Sequence, residues 1–329
     1  MEQLRVLAGE PVLVIDFRYH LVSLIAVFLA VALGIVIGTT QLNGRVVDNL
    51  NAHVSSLEQD KRGLEAQTQQ LQAELNSDDA FTQAVAPALV SGALNNRRVL
   101  LVLTSDQVPS GTVDDVSSLV QKAGGTVTGT IHLQPQYTDP STASAIENFV
   151  TGSGRPAGVE LPQTDDAHQL VAALLADVLM APSANSTAPN AAAIASVLAG
   201  LSSLDVLTQD SSTVTRADFA IVLTAGALDG TDVDQRNAAL VDLAAALDAA
   251  GSGAVVAGDA DSAGSKGLVG ALRNNPTVSS SVSSVDNLGT AAGEVSTVLA
   301  LVGERRGTSG KYGSGTGTQP VPLVAGATR

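Results

Sequence analysis

From Leu21 to Thr40 the chain reads LVSLIAVFLAVALGIVIGTT, twenty residues without a charge, in which Ser23 is the only polar side chain before Thr39. At about 1.5 Å per residue this is about 30 Å of helix, the thickness of a bilayer core. The segment is therefore either a cleaved signal or a membrane helix. Ala30-Val31-Ala32 has the small-residue form of a cleavage site. Against cleavage, the run exceeds a usual signal core. The residues ahead of it also carry three acids, Glu2, Glu10 and Asp16, against Arg5 and Arg18. Residues 21–40 are accordingly read as an uncleaved single-pass anchor, preceded by a short segment at 1–20. A short N-terminal and a long C-terminal region favour the N-terminus inside and the remainder outside the cytoplasm, at the cell membrane or envelope.

The span has a distinct face. Ala26, Ala30, Gly34 and Gly38 recur every four residues, and the last two form a G-x-x-x-G. Small residues at that spacing let two helix backbones approach closely in lipid. A second association signal follows over residues 41–80. With Val47, Val54, Lys61, Thr68 and Leu75 at heptad position a, position d is filled by Leu50, Leu57, Leu64 and Leu71. An a/d-wide apolar stripe of this kind predicts a parallel two-stranded coiled coil about 45–50 Å long, in which Lys61 disfavours higher orders. Asn43-Gly44 is expected to interrupt the helix between span and coil. The chain is thus predicted to be a parallel homodimer.

From Arg97 onward the periodicity changes. Val99–Leu103 is a continuous apolar run, followed by a helical pattern near Val113–Ala123, the break Gly124-Gly125, and a strand pattern at Thr126–Leu133. The alternation returns as strand (Phe219–Thr224), helix (Val233–Ala250), strand (Gly253–Ala257), helix (Ser265–Arg273), strand (Thr277–Val285) and helix (Leu288–Val302). Apolar strands alternating with amphipathic helices predict an α/β domain over residues 97–302, with a mainly parallel sheet covered by helices on both faces, Rossmann- or flavodoxin-like. Between the two blocks, about 140–205, helical segments joined by Pro-, Ser- and Asn-rich linkers suggest a cap or a loosely held insertion. Residues 303–329 are Gly-, Ser- and Thr-rich and are expected to be disordered.

The chemistry-bearing residues are few. With 17 Lys+Arg against 32 Asp+Glu, the net charge of -15 argues against binding nucleic acid. Zero Cys removes thiolate metal sites, Fe–S clusters and thiol nucleophiles. Of four His, His20 lies at the membrane edge, His53 on the outside of the coil, His132 at a strand end and His168 on a helix. Asp165 and His168 have the spacing to share a helix face, but two ligands without a third are weak evidence of a metal site, and satisfied or solvent-facing His is the better reading. With Met reduced to Met1 and Met180, any copper site would be built from His132, His168 and Asp165, and would bind Cu(II) weakly and with proton release. The acids Asp229, Asp232 and Asp234 crowd the loop after the Phe219–Thr224 strand, at the end of a parallel sheet where ligands usually bind, and read more readily as helix-capping residues. The run Gly258–Gly267 matches no phosphate-binding fingerprint. No catalytic set is suggested by position, so no enzyme activity and no resident cofactor is expected.

The string Ile15-Asp16-Phe17-Arg18-Tyr19-His20-Leu21-Val22-Ser23-Leu24, continuing to Gly34-Ile35-Val36-Ile37-Gly38, resembles the opening of the actinobacterial copper-transporter family named for MctB. The coil, the α/β region and a glycine-rich tail with Lys311-Tyr312-Gly313 agree in order, so the resemblance covers nearly the whole chain. It implies copper transport or lowering of intracellular copper, an envelope location and an outer-membrane pore. A corynebacterial relative, SteB, instead implies a role in cell separation with a partner, SteA, on the cytoplasmic side. Under that reading Phe17, Arg18 and Tyr19 are the contact candidates, the aromatics serving as interface anchors. The residues themselves do not read as a membrane barrel. Barrel strands are about ten residues long, alternate in polarity and carry aromatic girdles, whereas these strands are short and continuously apolar, and aromatics make up 2% of the chain.

Overall fold

The computed structural model describes residues 17–181, 189–210 and 213–322, and only the backbone of residues 40–47. Most of the 1–20 segment, the Val47 side chain and residues 323–329 lie outside the described residues. The chain divides into two compact units, residues 1–74 and 75–329.

Helix α1 runs from Phe17 to Val90 without a break. The interruption expected at Asn43-Gly44 does not occur. One glycine inside a helix costs about 1 kcal/mol relative to alanine, too little to break a helix with long runs of good formers on both sides. The helix ends just beyond Pro87, where Gly92 turns the chain at φ 71°. Within it, Phe17–Thr39 has a mean hydropathy of 2.9 and no buried residue, so it is long and apolar enough to cross a membrane. The heptad leucines are also exposed, Leu57 by 67% and Leu64 by 64%.

The second unit is built on one open sheet. Strands β1 (Arg98–Leu103), β2 (Thr126–Leu133), β3 (Leu207–Gln209), β4 (Phe219–Leu223), β5 (Ala254–Ala257), β6 (Ser283–Val285) and β7 (Lys311–Tyr312) lie in the order β3-β2-β1-β4-β5-β6-β7. All neighbours are parallel except β2 and β3. The connecting helices are α2 (Ser110–Lys122), α3 (Ala143–Thr151), α4 (Ala167–Leu179), α5 (Ala191–Ser203), α6 (Val233–Ala250), α7 (Leu268–Asn274) and α8 (Ala291–Glu304).

Alternation along the strands separates two cores. Val99, Leu101, Leu103, Phe219, Ile221 and Leu223 face α2, α8 and the end of α1. Leu100, Val102, Ile131, Ala220 and Val222 face α4, α5 and α6. Both faces are therefore apolar, which is why the strands read as continuous hydrophobic runs. Arg98 pins β1 to β4 at their amino ends, its backbone N–H and guanidinium both donating to Asp218 at 2.9 Å.

Two expectations from the sequence need correction. The middle segment is not a loose insertion. Leu170, Leu174, Leu175, Ile194 and Leu198 are buried in the main core, and β3 adds an antiparallel edge to β2. The glycine-rich tail is not disordered over its described length. Lys311–Tyr312 form β7 beside β6, and the chain then wraps Asp286, whose carboxylate accepts from the Ser314 N–H at 2.7 Å and the Gly315 N–H at 3.1 Å. Gly313, at φ 126°, is required there, because a side chain would collide with the Asp286 carboxylate. The glycines that signal flexibility are the ones that let the backbone close around a buried anion.

Helix α8 carries two acids that burial pushes up to about 7. Glu294 is raised further by the nearby Asp115 and Asp79. Glu304 is raised although its Oε1 accepts from the Ser283 N–H at 2.8 Å. The folded chain therefore holds protons that the unfolded chain has released, and stability is expected to fall as pH rises from about 4.5 to 7. Glu294→Gln with Glu304→Gln should raise the melting temperature by a few degrees at pH 8, with the gap closing near pH 5. A gap independent of pH would contradict this.

Candidate functional site

Apart from half-buried Gly38, and Val47 outside the described side chains, the association residues predicted from the sequence are exposed. Ala26, Ala30, Gly34 and Gly38 line one face of the apolar helix, and nothing lies within 4 Å of a Cβ built at Gly34 or Gly38. Leu50, Val54, Leu57, Leu64, Leu71 and Leu75 are likewise exposed. Phe17 and Tyr19, at the start of α1, are 77% and 78% exposed, with Arg18 exposed between them.

The two histidines among the copper candidates take separate carboxylate partners. His132, on β2, meets Asp210 at the sheet edge, Nε2 to Oδ1 at 2.8 Å. His168 is buried in the first turn of α4, its Nδ1 3.6 Å from Asp166 rather than beside Asp165. The reason is local. Asp166 is the N-cap, accepting from the His168 and Gln169 N–H groups, so helical spacing begins only at Ala167. Asp165 precedes the helix and shares no helix face with His168. The His168 ring packs against Tyr137 with centroids 6.4 Å apart, and the Tyr137 hydroxyl and His168 Nε2 are both buried without a hydrogen-bond partner. Among the described residues no three His, Asp or Glu side chains gather in a way that could hold a metal.

The sheet itself opens a crevice beside the loop after β4, the sheet end that Asp229, Asp232 and Asp234 mark in the sequence, although the sequence does not single out its lining residues. After β1 the chain crosses to β2 on one side, and after β4 it crosses to β5 on the other, so the loops following β1 and β4 diverge. Open α/β sheets bind ligands at such a switch point, beyond the carboxyl ends of the strands. Here the crevice encloses about 220 Å³ between Thr104–Gln107, Gln134–Thr138, Thr224–Gly226 and the first turns of α6. Asp259, which a phosphate-binding loop would not tolerate, instead holds the fold together here. It accepts from the Gly226 and Ser262 N–H groups and ties the loops after β4 and β5. Gly226, at φ 71°, lets Gln107 lie across it where a side chain would collide.

One apolar helix of membrane-spanning length, continuous with a polar helix and followed by an open, mostly parallel sheet, defines a membrane- or envelope-associated α/β protein. The family model described as "Copper transport outer membrane protein, MctB" matches residues 14–323. The proteins named Copper transporter MctB from Mycobacterium tuberculosis and Mycobacterium bovis are each 31% identical over 315 residues, covering 94% of this chain and 99% of theirs. The protein of that name from Mycobacterium leprae is 29% identical over 325 residues, with the same coverage. The chain belongs to the MctB family.

Proposed function

We propose that this chain works in copper transport as a single-pass, membrane-anchored homodimer, with its N-terminus inside and its α/β unit outside the cytoplasm. The observation that carries the reading is helix α1, where an exposed apolar span leads without a break into an exposed leucine stripe. Two chains cover that stripe by pairing in parallel, and the small-residue face lets the same two helices meet in the membrane. The family supplies copper as the cargo. The α/β unit serves as a non-catalytic contact platform, and copper passes with the help of a partner rather than through a barrel made by this chain. The described strands form an open sheet with helices packed on both faces.

Deleting the gene in its own host and loading the cells with copper is expected to raise cell-associated copper by several-fold, measured by elemental analysis and restored by the intact chain. Unchanged copper would overturn the reading. Exposed Phe17, Arg18 and Tyr19 favour a second reading, in which α1 begins with a contact for a SteA-like partner on the cytoplasmic side and the chain regulates cell separation. The same deletion strain would then grow as unseparated cells with normal copper. Replacing Phe17 and Tyr19 with Ala would reproduce that phenotype.

A further inference from the structure

The crevice between the loops after β1 and β4 contains a polar group left without a partner in a place where one is costly. Asn237, in the first turns of α6, is 2% exposed. Its amide orientation is set by Nδ2, which donates to the Lys266 carbonyl at 3.0 Å, leaving Oδ1 buried with no hydrogen-bond donor. A buried, unsatisfied acceptor destabilises a fold unless something completes it. Asn237 is also a lining residue of the cavity.

Arg236, the neighbouring lining residue, is held in place by uncharged oxygens. Its Nε donates to the Thr138 hydroxyl at 3.2 Å and its Nη1 to the Asp229 carbonyl at 3.3 Å. Among the described residues no carboxylate forms an ion pair with it. Arg236 lies in the first turn of α6, where, against the reading from sequence, none of Asp229, Asp232 and Asp234 caps the helix with its side chain. Asp234 stands in the same turn, and the carboxylate of exposed Asp139 feels the Arg236 charge. Across the crevice, exposed Asp106 stands on the loop after β1, and Leu133, Leu240 and Leu268 supply apolar wall.

The cavity thus offers one cation, Arg236, one carboxylate, Asp106, two buried polar atoms without partners, Asn237 Oδ1 and the Tyr137 hydroxyl, and an apolar wall, in a volume below the roughly 300–1,000 Å³ of drug-sized sites. We propose that this crevice binds a small free α-amino acid with an apolar side chain. Its carboxylate meets Arg236, its ammonium donates to Asn237 Oδ1 and faces Asp106, and its side chain lies against the three leucines. Either charge taken without the other leaves part of the lining unanswered. An anion lacking the ammonium leaves Asn237 Oδ1 unpaired, and an amine lacking the carboxylate leaves Arg236 unpaired. This inference is independent of the copper reading and stands or falls without it.

The test is calorimetric titration of the full chain in detergent with L-valine, isovalerate (valine without its ammonium) and isobutylamine (valine without its carboxylate). L-valine is expected to bind saturably below about 10 mM, and each half-molecule at least tenfold more weakly. Arg236→Met, whose side chain is partly exposed, and Asp106→Asn should each weaken L-valine binding while leaving the circular dichroism spectrum unchanged. Asn237→Leu, which keeps the size of the side chain and removes the acceptor, should abolish binding in a chain whose circular dichroism spectrum is unchanged. No saturable binding of L-valine, equal binding of the two half-molecules, or undiminished binding by a folded Arg236→Met chain would overturn the proposal.

Discussion

Replacing Leu57 and Leu64 with Asp is expected to convert a soluble fragment beginning at Gly44 from a dimer to a monomer. Both leucines sit at d positions and are more than 60% exposed in the single chain, so pairing of two chains is what would bury them. If two chains pair through the leucine stripe, each substitution places a carboxylate in the centre of the seam, and burying an unpaired charge costs several kcal/mol. Four such charges per dimer raise the monomer–dimer midpoint by at least about a thousandfold. Lys61, by contrast, already pairs along its own helix with Glu65 at 3.5 Å. Changing it to Leu should strengthen association. Light scattering that still reports a dimer for the Asp variant would show that the leucine stripe is not the contact.

The second large effect is expected at Asp286, which is 1% exposed and is the acceptor around which the C-terminal segment closes. Arg273 Nη1 donates to it at 2.6 Å, Arg273 Nε to the Ser284 hydroxyl at 2.9 Å, and Nη2 to the Tyr312 carbonyl at 2.9 Å. Asp286→Ala leaves the guanidinium buried without a counter-charge and frees the Ser314 and Gly315 N–H groups. Removing one partner from a buried pair of this kind costs about 3–5 kcal/mol. Chemical denaturation should show that loss, and trypsin should cut at Lys311 much faster than in the unaltered chain. Asp286→Asn, which keeps acceptor and shape, should lose less. A loss under about 1 kcal/mol with unchanged cleavage would show that the network holds nothing together.

What the sequence made legible follows from the scale of each signal. The apolar span and the β1 and β4 strands are continuous hydrophobic runs whose environment, lipid or a sheet covered on both faces, leaves little alternative. Local chemistry that depends on one residue of register is harder to read. Asp165 and His168 have helical spacing, yet with Asp166 as N-cap the helix begins at Ala167, so Asp165 lies outside it and shares no face with His168. Asn43-Gly44 is a break by propensity and helix in fact, because a long helix carries single unfavourable residues. The tail differs from its composition because glycine signals disorder unless a distant carboxylate needs its backbone, and Asp286 lies some 30 residues away. The acids Asp229, Asp232 and Asp234 mark the loop after β4 as an end of the sheet, but nothing local marks the residues that line the crevice. Gln107 follows β1, Tyr137 follows β2, and Arg236 and Asn237 open α6, and these segments are joined only by the reversal of strand order between β1 and β4.

The central claim is that copper handling depends on the chain being anchored and paired at a membrane. Its most direct test is cell-associated copper, measured in a deletion strain that carries either the intact chain or one whose residues 17–39 are replaced by a cleavable secretory signal. Only the anchored chain is predicted to return copper to the level of the unaltered strain, and the Leu57→Asp, Leu64→Asp variant of the anchored chain is predicted to fail. Full restoration by the secreted chain would contradict the claim.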